Sequence, residues 1–206
     1  MRIKTGGLSD EKYADINVLP FGYTDEIYYE KELDGESGAL VGLGHISKKN
    51  GGITLVGAPT DNHGLKRLSV IMFENGKLIS IFDLNDGTKY SPSFGVGSFG
   101  LGGVKCGVLV GGDLFDCDNV KALSVCGCAL IIDLYPDLLN ENVINATNFY
   151  AYSFGIDCIC ICRDKVIASL AGGKKIQPSA STDGVIFDMP CKRIYRDAKI
   201  KKAGCR

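Results

Sequence analysis

The chain has 206 residues, a mass of 22.1 kDa, and 23 Lys and Arg against 24 Asp and Glu, so it is of single-domain size and close to neutral. That balance excludes a broadly basic nucleic-acid binder; the Lys/Arg-rich stretch over residues 192–206 reads as a solvated end. No run of 18 or more apolar residues is free of charges and glycines, and MRIKTGGLSDEKYAD lacks the apolar stretch of a signal peptide, which argues against a membrane helix and predicts a cytoplasmic protein.

In chain order, ADINVLP (14–20) predicts a strand that delivers Phe21 where the chain leaves the sheet. GESGALVGLGHISKKNG (35–51) predicts a helix ending at Asn50 and Gly51, and ITLVGAP (53–59) a second strand. RLSVIMF (67–73) and KLISIFDL (77–84) flank Asn75–Gly76, a strong hairpin signal. KYSPSFGVGSFGLGG (89–103) reads as a loop or irregular strand before the strand VKCGVLV (104–110) and the pair Gly111–Gly112. Asp113 is placed to cap a helix over 114–126. CALIIDLYP (128–136) predicts a strand and 138–153 a helix; the strands IDCICICR (156–163) and KVIASL (165–170) follow, with a weak strand near GVIFDM. About nine strands with few helices predict two sheets packed face to face, helices outside.

Nine cysteines in a reducing compartment are expected as thiols, and the odd count argues against a disulfide framework. Cys126 and Cys128, and Cys158, Cys160 and Cys162, lack the two-residue gap that lets two thiolates reach one zinc, so no metal is expected. On a strand the last three share one face, alternating with Ile159 and Ile161. His45, in an apolar stretch, and His63, in a hairpin, have no acid or serine partner at a motif spacing and read as structural. SFGVGSFGLGG is not followed by Gly-Lys-Ser/Thr, so no nucleotide site and no cofactor are expected.

In order and spacing, four of these stretches resemble the nitrilase, or carbon–nitrogen hydrolase, family over about residues 13–176. They are ADINVLPFGY, the ITLVGAP to KLISIFDL hairpin segment, VKCGVLVGGDLF with its Gly107, and CALIIDLYP with the helix and strand after it. The resemblance implies an α/β (α+β) fold, a four-layer αββα sandwich formed by one domain over residues 1–206. Fewer residues precede Tyr13 than the family's first strand and long helix require, so the sandwich is expected to be truncated at its N-terminus, with one sheet short of a strand.

The family's chemistry is acyl transfer by a cysteine thiolate, with a glutamate moving the proton and a lysine stabilising developing charge. Carried over position by position, the glutamate falls on Phe21, the lysine on Leu84 and the cysteine on Gly111. All three functional side chains are missing, which implies a catalytically inactive homologue with a binding or assembly role. The alternative is an active amide or nitrile hydrolase with a relocated nucleophile, for which Cys117 and Asp113 are the candidates. Gly111, Gly112 and Asp113, before a helix start, are candidates to hold a small carboxylate or amide. The resemblance also implies a homodimer, packed through the helices at about 113–126 and 138–154, with no nucleic acid or membrane partner.

Overall fold

The computed structural model describes residues 1–6, 14–84, 96–176 and 184–194. Its first half contains β1 (Arg2–Thr5), β2 (Ile16–Leu19), β3 (Ile27–Tyr28), α1 (Tyr29–Leu33), α2 (Ala39–Asn50), β4 (Ile53–Asn62), β5 (Leu65–Glu74) and β6 (Lys77–Asp83). The second half contains β7 (Gly97–Leu101), β8 (Val104–Val110), a 3-10 turn (Gly111–Phe115), α3 (Cys117–Val125), β9 (Leu130–Leu134) and α4 (Glu141–Phe154). β10 (Asp157–Ile161), β11 (Val166–Leu170), β12 (Lys174–Ile176) and β13 (Ile186–Asp188) complete it.

The strands form two sheets, ordered β13-β1-β2-β4-β5-β6, with β3 beside β4, and β12-β11-β10-β9-β8-β7. Alternation along the strands builds three apolar layers. Ile16, Val18, Leu55, Val70 and Met72 of the first sheet meet Val108, Val110, Ile132, Ile159 and Ile161 of the second in the central core. Leu109, Ile131, Cys158 and Cys160 face α3 and α4 through Val120, Leu123, Val143 and Tyr150. Leu19, Val56, Ile71 and Phe73 face α2 through Leu43. The result is the expected helix–sheet–sheet–helix sandwich.

Local chemistry explains the joints. Asn75 and Gly76, at φ 49° and 85°, turn β5 into β6 with the twist that two-residue hairpins need. α4 begins where the Asn140 side chain accepts the Val143 N–H at 3.1 Å and ends at Gly155 in the left-handed region. β8, β9 and β10 run parallel and are buried on both faces, which is why they read as unbroken apolar runs. Gly107 has a packing role: a Cβ there would lie 2.7 Å from Leu123 Cδ1, so its absence lets α3 sit close on β8. Gly107→Ala is expected to cost about 2 kcal/mol through this overlap, read as a fall in the urea midpoint.

The structure corrects several expectations. Thirteen strands are seen among the described residues, where about nine were expected. The first sheet is not short of its N-terminal strand: β1 pairs parallel with β2 and antiparallel with β13. The connection from β1 to β2 spans residues 6–15; the rest of the expectation about MRIKTGGLSDEK, over residues 7–13, lies outside the described residues. Residues 97–101 form a regular strand because they pair with β8, while 89–95 and the basic stretch from 195 lie outside the described residues. Asp113 does not cap the helix after it. Its carboxylate turns back to accept the Val110 N–H at 3.3 Å, and Asp116, in extended conformation, caps α3 by accepting from the Asp118 N–H at 2.9 Å.

Candidate functional site

Three strand ends converge in the central core. β2 ends in Leu19 and Pro20, and Phe21 follows, only 5% exposed, in a turn closed by the Tyr23 N–H on the Pro20 carbonyl. Gly57 of β4 makes room for it: a Cβ at position 57 would sit 2.9 Å from the Phe21 ring. Leu84, 3% exposed, directly follows β6, and its N–H reaches the Leu68 carbonyl. Gly111, buried and with φ of +56°, directly follows β8.

The structure brings Leu84 and Gly111 together. A Cβ built on Gly111 would lie 3.9 Å from Leu84 Cδ1 and 3.1 Å from Pro136 Cδ. Phe21, Leu84, Val110 and Leu134 belong to one buried cluster, so apolar side chains fill the meeting point of the three strand ends. A non-glycine residue at 111 would also adopt a left-handed backbone conformation, which costs about 1 kcal/mol or more.

Of the predicted anion cradle, Gly111 and Asp113 are buried and Gly112 is half-buried. The Asp113 carboxylate is engaged by the Val110 N–H at the end of β8. Cys117 is apart from this cluster. It is exposed at the first position of α3, separated from Gly111 by the 3-10 turn. Cys126 is exposed as well, whereas Cys106 lies inside β8, where burial pushes its thiol up to about 12. Cys191 is pushed to about 11 and Cys158 higher still, again by burial, so these groups stay thiols at neutral pH. Cys158, Cys160 and Cys162 do share one face, turned to α4, with Cys160 and Cys162 sulfurs 3.9 Å apart. Among the described residues no three His, Cys, Asp or Glu side chains are grouped to hold a metal ion. His45 is exposed on α2, and His63, in the β4–β5 turn, is paired with Glu30 of α1.

Two polar residues near the site escaped the sequence reading. Arg163, after β10, lays its guanidinium against the Phe21–Gly22 turn: a Cβ on Gly22 would be 3.3 Å from Arg163 Nε. Asp133 sits in the middle of the buried second sheet, 1% exposed, behind the Gly111 turn. Cys160 donates its S–H to Asp133 Oδ2 at 3.0 Å, and Oδ1 has no hydrogen-bond partner. Burial pushes this carboxyl up to about 7, against the pull of Cys160 and the Gly111 N–H, with the Asp113 charge adding to the rise. A single acid in CALIIDLYP was the available signal.

No protein-family model and no curated protein sequence matches the chain. Solved structures match its fold. A mutant of the Nesterenkonia AN1 amidase, from the nitrilase superfamily, superposes with a TM-score of 0.71 at 13% identity, over 90% of this chain and 88% of that one. The amidase from the same organism after tag removal gives 0.69 at 14%, over 92% and 93%. Saccharomyces cerevisiae Nit3, a member of branch 10 of the nitrilase superfamily, gives 0.70 at 13%, over 90% and 88%. The chain therefore has the nitrilase-type fold. No described helix is long and apolar enough to cross a membrane.

Proposed function

We propose that this nitrilase-fold chain does not perform carbon–nitrogen hydrolysis and acts through assembly, as a homodimer joined by the outer faces of α3 and α4. The observation that supports the first half is the closed, apolar meeting point of the strand ends: Phe21, Leu84 and Gly111 supply no thiol, base or cation there, and Leu84 and Pro136 cover the Gly111 Cα. Without a thiolate no acyl-enzyme forms, and without a base no water is activated by that route. The alternative, a relocated nucleophile at Cys117, has an exposed thiol at the start of α3, apart from the buried cluster that holds Phe21 and Leu84.

Ammonia release from a panel of nitriles, primary amides and N-carbamoyl compounds tests this directly. The expected result is release no greater than from a boiled sample, for the wild-type protein and for Cys117→Ser alike. Release that Cys117→Ser abolishes overturns the proposal and makes Cys117 the nucleophile.

The second half rests on what the outer helical layer leaves exposed. Phe149 and Tyr152, three residues apart on α4, are 57% and 53% exposed, and Leu138, shortly before α4, and Phe115, shortly before α3, are 62% and 45% exposed. Neighbouring large apolar groups on one helix suit burial by a second copy. Phe149→Lys is expected to shift the sedimenting species from dimer to monomer while leaving the far-UV spectrum unchanged; an unchanged dimer would place the interface elsewhere.

A further inference from the structure

On the opposite outer layer, α2 crosses the β5–β6 hairpin at a contact made of glycines. A Cβ on Gly44 would lie 2.9 Å from the Gly76 carbonyl oxygen, and one on Gly76 would lie 3.1 Å from both the Gly44 oxygen and Lys48 Cβ. The Gly76 N–H donates to Ser47 Oγ at 3.3 Å, which pins the hairpin tip to the helix. Beside this contact lies a concavity of about 350 Å³, lined by Val41, Gly44, His45, Lys48, Asn75, Gly76 and Lys77.

The lining is one-sided in charge. It holds two lysines, a histidine and the Asn75 amide, and no carboxylate. Val41, His45 and Lys48 recur at helical spacing along α2, so an apolar group and two nitrogen-bearing groups form one stripe. Val41 is 63% exposed, an aliphatic side chain in the lining of a cationic groove. Two features oppose an anion here: Glu74 stands cross-strand from Lys77, and the carbonyls at the end of α2 carry partial negative charge. Glu74 is outside the lining, and two lysines outweigh the roughly half charge of a helix end.

We propose that this groove binds a small organic anion, a phosphate, sulfonate or carboxylate carried on an apolar body, with Lys48 and Lys77 holding the charge and Val41 covering the body. The site is remote in the fold from the strand ends of the central core and independent of the assembly reading. Its size is within the range of small-molecule pockets.

Titration calorimetry with phenyl phosphate, inorganic phosphate and phenol tests it on the full chain. The expected result is millimolar or tighter binding of phenyl phosphate, binding of phosphate at least five-fold weaker, and none of phenol. Lys48→Glu with Lys77→Glu is expected to abolish binding, and Val41→Asp to weaken phenyl phosphate at least three-fold. All three positions are exposed, and circular dichroism of each variant confirms the fold. No heat from phenyl phosphate, binding that survives the double charge reversal, or equal affinity for inorganic phosphate overturns the proposal.

Discussion

Asp133→Asn is expected to stabilise the protein by about 3 kcal/mol at pH 8 and to change little at pH 4. The carboxyl is fully buried in β9, and its folded-state value of about 7 stands well above the ordinary 3.8. The sign follows from linkage. Below the unfolded value both states are protonated and Asp133 costs nothing through its charge. As pH rises from 3.8 towards 7 the unfolded chain ionises while the folded chain must hold the proton, so stability falls throughout that window and levels off above it. The interval corresponds to about 4 kcal/mol, of which the burial of an amide without full partners takes back a part. Urea unfolding of both proteins across the pH range measures the difference directly. An Asn variant less stable than the wild type at pH 8 would mean that the buried acid is held charged by groups its surroundings do not reveal.

The same substitution at Asp157, at the start of the neighbouring strand β10, is expected to do the reverse and cost about 3 kcal/mol. Asp157 is also buried, 1% exposed, and its pKa is also raised by burial, yet each oxygen has a backbone donor. The Ala171 N–H reaches Oδ1 and the Cys191 N–H reaches Oδ2, both at 2.7 Å. An asparagine has one acceptor for these two donors, so its NH₂ would confront an N–H across a hydrogen-bond distance. The lost contact ties residues around Cys191 to the sheet, and a lower thermal midpoint with faster proteolysis after residue 184 is the expected readout. Two aspartates in adjacent strands therefore respond with opposite sign because one is satisfied on both oxygens and the other on one.

Much of the sandwich was legible because its signals are local. The Asn75–Gly76 turn, the strand 104–110 and the alternation of Cys158, Cys160 and Cys162 with isoleucines each depend on a few neighbouring residues, and each has its expected place in the fold. β1 was not legible, because four residues at a chain end become a strand only through partners at Ile16–Val18 and Ile186–Asp188. The cap of α3 was not legible: Asp113 was the expected residue, but the end of β8 claims its carboxylate and Asp116 caps the helix instead. Around the site, the strand ends could be assigned to Phe21, Leu84 and Gly111 by order and spacing. That Leu84 and Pro136 close over Gly111, and that Asp133 lies buried behind it, depends on packing between strands far apart in the chain.

The pairing of β1 with β13 also bears on the order in which the molecule can be made. Arg2 lies opposite Asp188, and the Met1 ammonium donates to the Met189 carbonyl at 2.9 Å. At ribosomal rates of roughly 5–20 residues per second, on the order of 10–40 s separate the emergence of these two strands. Throughout that interval one side of β1 is an open edge, the kind of surface that pairs with whatever strand arrives first. Premature release of the nascent chain would leave that edge without its partner, so β13, the last strand among the described residues, also seals β1.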